Sequence, residues 1–281
     1  MREVAMSPEL PLFDPDSVYW RVNREAFILL GGGAALLQQV AHPLVAAGVA
    51  EHSNFTKEPL RRLARTLTAM HSIIYGDRPT ALAAARGVNR MHERVRGVLT
   101  DGTERFPEGT PYRAGDPELL LWVHSTLVRT ALYTYEQFMP SLSGSERDAY
   151  YRDSKRLGHL LGLKPADLPA NYAAFERYYA GMLSSGDLAL TPTIATLADQ
   201  IIHPPISWVP RVAGDVLSIA TAALLPPELR RLYGLKWGSR RQFAWRAARR
   251  SLREALPYVP DVMRAGRRAR RGERLVRAAT A

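Results

Sequence analysis

The stretch Glu51–Gly97 constrains the fold most, because its spacing demands helix twice and leaves one residue out of place. Leu60, Leu63, Leu67, Met70 and Ile74 recur at three or four residues, which is one apolar stripe of an α-helix. Arg62 and Thr66 stand one turn apart beside that stripe, with Arg65 between them. After a turn at Gly76-Asp77-Arg78-Pro79, a second stripe runs through Ala81, Ala85, Val88, His92, Val95 and Leu99. A titratable, metal-capable imidazole therefore points where a core side chain belongs.

The rest of the chain carries the same period. No segment alternates apolar and polar residues between hairpin signals, so strands are expected to be few or absent. Helices are expected from Ser17 or Asp16 to Leu30, then from Ala34 to Val49 after the interruption at Gly31-Gly32-Gly33. The next runs from Asp116-Pro117 to Phe138 and aligns Leu120, His124, Leu127, Ala131 and Tyr135, placing a second histidine in an apolar stripe. Further helices are expected from Ser145 as cap to Leu161, from Pro169 to Ser184, and over 193–202, 212–224, 228–233 and 240–256. The expectation is all-α: an N-terminal arm at 1–16, one helical domain of around ten helices at 17–256, and a basic C-terminal tail at 257–281, frayed from Met263 onward.

The span Ala26–Ala50 is apolar enough to raise a transmembrane reading. The three-glycine run at 31–33, two glutamines, a histidine and a proline in its middle argue for a buried, broken helix, since lipid would leave those polar groups without partners. With no cysteine, disulfides, Cys-ligated zinc and Cys-based haem attachment are excluded. The first residues lack the apolar run of a signal peptide, which makes a cytoplasmic home the expectation. The net charge of +11 is concentrated at one end: from Glu228 onward there are 16 Lys and Arg against 4 Asp and Glu.

Most familiar catalytic signatures are missing. The glycine run at 31–33 lacks the strand-to-helix context of a phosphate loop, and no two histidines have the i, i+4 spacing of a helical zinc site. What remains is a set of solitary histidines: His42, His52, His71, His92, His124, His159 and His203. For His71, His159 and His203 the plain reading is a core or interfacial ring satisfied by a backbone carbonyl. His92 is different, because Arg62 and Thr66 on the preceding helix can face the same space. One neutral imidazole in an apolar helical pocket is what haem iron needs as an axial ligand, and arginine pairs well with carboxylates such as propionates.

The sequence also resembles a known family. The matching pieces are Ala41-His42-Pro43, His52-Ser53-x-Phe55, Arg62-x-x-x-Thr66, Gly76, His92-x-x-Val95-x-Gly97, Asp116-Pro117 and Trp122-Val123-His124. In order and spacing they resemble the haem-dependent oxygenases that include the latex-clearing rubber oxygenases and the mycophenolic-acid-pathway oxygenase, over roughly residues 17–250. The resemblance implies a haem b in a helical, distantly globin-like core, with O2 as co-substrate and oxidative cleavage of an isoprenoid C=C bond. It implies His92 as the proximal iron ligand, with Arg62 and Thr66 shaping and hydrogen-bonding the site. Arg65 stands where rubber oxygenases carry a lysine that can ligate iron, and a guanidinium cannot donate a lone pair. His124 is the backup ligand or a further polar group of the site, and a carboxylate base of the family would fall near Glu51. Without an export signal, a small apolar metabolite is the expected substrate rather than an extracellular polymer.

Two other readings stay open. One is a haem-binding or sensing protein without turnover. The other is a helical binder that uses its basic C-terminal part on an anionic membrane, or less favourably on nucleic acid, since no nucleic-acid motif accompanies the charge.

Overall fold

Punctuation in the sequence becomes helix ends. The computed structural model describes residues 10–53, 59–203 and 211–280. Its α-helices are α1 (Val18–Asn23), α2 (Gly32–Val40), α3 (Pro43–His52), α4 (Pro59–Tyr75), α5 (Arg78–Arg94), α6 (Pro117–Phe138) and α7 (Gly144–Leu160). They continue as α8 (Tyr172–Ser184), α9 (Pro192–Ile202), α10 (Arg211–Leu224), α11 (Pro227–Leu232), α12 (Ser239–Ala255), α13 (Asp261–Arg264) and α14 (Arg267–Thr280). Ser17 caps α1 by accepting from the Trp20 N–H at 3.1 Å, and Asp77 caps α5 by accepting from the Thr80 N–H at 2.9 Å. Proline occupies the first turn of α3, α5, α6, α9 and α11, where its missing N–H costs nothing.

The fold is all-α, as its periodicity requires, with one small exception. α5 ends at Arg94, so the stripe expected to continue through Val95 and Leu99 leaves the helix there. Arg96–Val98 (β1) pairs antiparallel with Pro111–Arg113 (β2), with Gly97 opposite Tyr112. Leu99 is buried with Ala47 and Tyr112 instead of on the α5 face. The expected helix from Ser17 to Leu30 is broken too: α1 stops at Asn23 and a 3-10 helix spans Ala26–Gly31. The cap of α7 is Ser143, not Ser145, because Ser143 and Glu146 form a reciprocal capping box.

α6 is the axis of the molecule. It packs against α1, α2, α7, α8, α10 and α12 and buries Trp122, His124, Val128, Leu132 and Tyr135. Gln38 of α2 shows why this apolar segment lies inside the protein. Its Nε2 donates to the Ala34 carbonyl at 3.0 Å and to Thr130 Oγ1 at 2.8 Å, and its Oε1 accepts from the Tyr179 hydroxyl. No single described helix is long and apolar enough to cross a membrane; the pair Ala26–Val40 and Pro43–His52 passes by composition but is bent by 108°.

Neither end is loose where it is described. Leu10 and Phe13 are buried, with Phe13 stacked on Tyr19. The segment expected to fray from Met263 forms α13 and α14, and α14 packs on α4. Ala269 is fully buried, and Gly272 lies so close to Trp20 that a Cβ there would be 2.7 Å from the indole. Small residues at this face of an Arg-rich helix are what allow it to dock.

Candidate functional site

α4 and α5 form a hairpin that positions the residues singled out in the sequence. α4 rests on α5 and α14. Another of its faces, carrying Leu67, Met70, His71 and Ile74, lines a cavity of about 230 Å³. The opposite wall is Leu127, Val128 and Ala131 of α6. Ile28, Leu29, Gly31, Gly32 and Ala35 form a third side, and Arg268 and Ala269 of α14 a fourth. Its walls are mostly apolar; Asn23, Arg24 and Glu25 add polar groups.

The glycine run has a packing reason. A Cβ at Gly31 would lie 2.5 Å from Thr134 Oγ1, and one at Gly33 would lie 2.3 Å from Thr221 Oγ1. Gly32 meets nothing within 4 Å and faces the cavity. Two glycines therefore admit neighbouring helices, and the third keeps the cavity wall bare.

The histidines separate into distinct environments. His92 is half-buried in the last turn of α5, and its Nδ1 is enclosed with no hydrogen-bond partner among the described residues. Burial lowers its pKa, so the ring is neutral at pH 7. His124 is buried in α6 with neither ring nitrogen partnered among the described residues. Burial, and then the charge of His159, lower it to about 4. Asn89, one turn before His92, donates to the Leu160 carbonyl at 3.0 Å, which ties α5 to the end of α7 beside His159. The two candidate ligands thus sit on helices that meet the same end of α7.

His71 lines the cavity, whereas His92 and His124 are not among its lining residues; His124 lies one turn before Leu127 and Val128, which are. Burial and then Arg268 lower the His71 pKa. His159 follows the plain reading, with Nδ1 2.9 Å from the Leu163 carbonyl. His203 instead lies exposed, its Nδ1 3.0 Å from Asp199. His42 is buried at the bend before α3, against the Phe106 ring at 5.0 Å, and burial lowers it to about 4.

Arg65 and Thr66 are exposed on α4, and no hydrogen bond links Thr66 to His92 among the described residues. The Arg62 backbone belongs to α4, but its side chain lies outside the described residues, as does Phe55. Glu51 accepts the Tyr112 hydroxyl at 2.7 Å, away from the cavity. Among the described residues no group of three or more His, Cys, Asp or Glu side chains is placed to hold a metal ion.

Residues 19–254, most of this helical body, match the catalytic domain of the ER-bound oxygenase mpaB/B' and rubber oxygenase family. The chain belongs to this family. As a member of the mpaB and rubber oxygenase family it is an oxygenase, and membership implies O2 as co-substrate. It is also similar to an uncharacterized protein of Mycobacterium tuberculosis and one of Mycobacterium bovis. Each is 29% identical over 221 residues, covering 75% of this chain and 83% of the relative. No solved structure matches.

Packing gives the motif His92-x-x-Val95-x-Gly97 a structural meaning. Val95 packs against Gly48, where a Cβ would meet it at 3.3 Å, and Gly97 leaves room for Tyr112 and Glu51. The region after the family match adds something the motifs did not reveal. Residues 266, 268 and 269 complete the cavity from outside the matched span. His71 was missed as a wall residue, although Leu67, His71 and Ile74 share one helical face at i, i+4 and i+7.

Proposed function

We propose that the chain is a haem b-dependent oxygenase acting with O2 on a small apolar, isoprenoid-like molecule, by oxidative cleavage of a C=C bond. The observation that carries this reading is His92. It offers a neutral imidazole with an enclosed, unpartnered nitrogen, within a chain whose family is oxygenases. Haem needs one such donor and apolar walls, not a cluster of ligands; His92 offers the donor, and the apolar walls of α4 and α6 belong to the cavity that His71, not His92, lines.

His92 would hold the iron, with His124 as the alternative. Arg62 would pair with a propionate through its planar fork. Thr66, one turn from Arg62 on α4, would offer a hydroxyl to the site. Arg65 carries a guanidinium, which has no lone pair to offer a metal, and so would not hold the iron. When bound, haem supplies the activation of O2. The protein's own contribution is placement: Leu67, Met70, Ile74, Leu127 and Val128 exclude water and align an apolar chain along α4 and α6.

The test is the visible absorption spectrum of protein expressed with added haem, as wild type, His92→Ala, His124→Ala and His71→Ala. A Soret band lost or shifted only in His92→Ala supports the assignment. Loss in His124→Ala or His71→Ala alone moves the ligand, and absence of a band in the wild type sinks the haem reading. O2 consumption that depends on an added apolar alkene separates turnover from haem binding alone.

A further inference from the structure

Helix α12 has two unlike faces. Trp245 and Leu252 pack against the main core, whereas Phe243 is 75% exposed. Arg240, Arg246 and Arg250 stand three or seven residues from Phe243 and so share its face. Arg250 pairs with Glu254 at 2.9 Å; Arg240 and Arg246 have no carboxylate partner among the described residues. The chain leaving α12 exposes Tyr258 (87%), Val262 and Met263 (69%). α10, packed against α12, exposes Val216 and Leu217.

Phe243 stands in water on the same helix face as the guanidinium groups of Arg240 and Arg246, and such a face suits a partner with both chemistries. A lipid surface has them. Aromatic and aliphatic groups enter at the level of the headgroups while arginines reach anionic phosphates. A nucleic acid would use the cations and leave the aliphatic groups of α10 and α13 in water.

We propose that the face centred on Phe243 docks the protein on an anionic lipid surface. The charge for docking is assigned to α12, whose arginines share a face with the exposed Phe243, rather than to the exposed arginines of the final helix, which packs on α4 through Ala269 and Gly272. α10, which packs on α12, and α13 both pack on the 3-10 helix Ala26–Gly31, where Leu29 is half-exposed and lines the cavity. An apolar molecule dissolved in lipid would have a short path past Leu29 to the cavity. The docking itself does not depend on the haem reading.

The experiment is co-sedimentation of the full chain with phosphatidylcholine vesicles, with and without phosphatidylglycerol, over a range of salt. Binding is expected only with phosphatidylglycerol and weakens as salt rises. Replacing Arg240, Arg246 and Arg250 together by Gln lowers partitioning about a hundredfold at low salt. Phe243→Ser lowers it about tenfold. Replacing Arg267, Arg271 and Arg274 of α14 by Gln removes the same charge and leaves partitioning within about twofold. All these side chains are exposed, so the variants should fold, and circular dichroism checks this. Equal losses in the two triple variants, tighter binding to duplex DNA than to vesicles at the same salt, or no sedimentation would each overturn the proposal.

Discussion

Tyr112 donates its hydroxyl to Glu51 Oε2 at 2.7 Å across a gap that only glycine at position 97 leaves open. A Cβ at Gly97 would stand 2.7 Å from that hydroxyl and 2.8 Å from the carboxylate oxygen. Tyr112 is buried on β2 opposite Gly97 on β1, so it has little room to move. This is the structural content of the glycine that closes the His92-x-x-Val95-x-Gly97 motif. Gly97→Ala should cost about 1–3 kcal/mol through overpacking. Chemical denaturation checks it, and a wild-type midpoint would show that the strand pair adjusts freely.

The glycine run yields a prediction that separates neighbours. Gly31→Ala and Gly33→Ala drive a methyl into Thr134 and Thr221, and each should destabilise by about 1–3 kcal/mol. Gly32→Ala meets open space and should be neutral or stabilising by up to about 1 kcal/mol, since alanine favours helix. Gly32→Phe should fold yet fill the cavity, and so weaken retention of an apolar ligand. Melting temperatures of the three alanine variants, with ligand binding by Gly32→Phe, test the assignment of this wall. Equal destabilisation at all three positions would refute it.

How far the sequence spoke depends on which force set each feature. Helices with a clean stripe and a proline or cap at the start, such as α6 and α9, were legible to within two residues, because local pattern and packing agree there. The end of α5 was not: Val95 and Leu99 keep helical spacing, but pairing of β1 with β2 takes the chain out of the helix. The docking of α14 depends on Ala269 and Gly272 meeting α4 and Trp20, a long-range contact that an Arg-dense composition conceals. At the site, His92 and His124 stood out as imidazoles in apolar stripes. His71 did not, because a residue lining a cavity and one filling a core have the same periodicity.

Acid should unfold this protein through histidines that carry no charge in the fold. His42 and His124 are lowered to about 4 from an ordinary value near 6.5. Above 6.5 both are neutral, folded or unfolded, and contribute nothing to pH dependence. Between 6.5 and 4 the unfolded chain takes up protons that the folded chain refuses, so stability falls through that window and levels off below it. Each ring should account for on the order of 3 kcal/mol across the window. Denaturant unfolding at pH 7.5, 6, 5 and 4.5, comparing wild type with His124→Leu, measures this. A variant slope as steep as wild type would show that His124 is not buried neutral.

The final helices should stabilise the body through one buried pair. Arg264 donates from Nη2 to Glu25 Oε1 at 2.7 Å and from Nε to Oε2 at 3.1 Å, and Glu25 is only 5% exposed. Arg24 reinforces the same corner by pairing with Asp261 at 2.6 Å and Glu273 at 2.7 Å. Arg264→Met would leave a buried carboxylate without its cation and should cost about 3–5 kcal/mol. Adding Glu25→Gln should recover a large part of that loss, because the unpaired charge, not the missing attraction, is the main penalty. A double-mutant cycle by urea denaturation reads both terms. Strict additivity would mean that Glu25 and Arg264 act independently and that α13 is not held to the 3-10 helix by this pair.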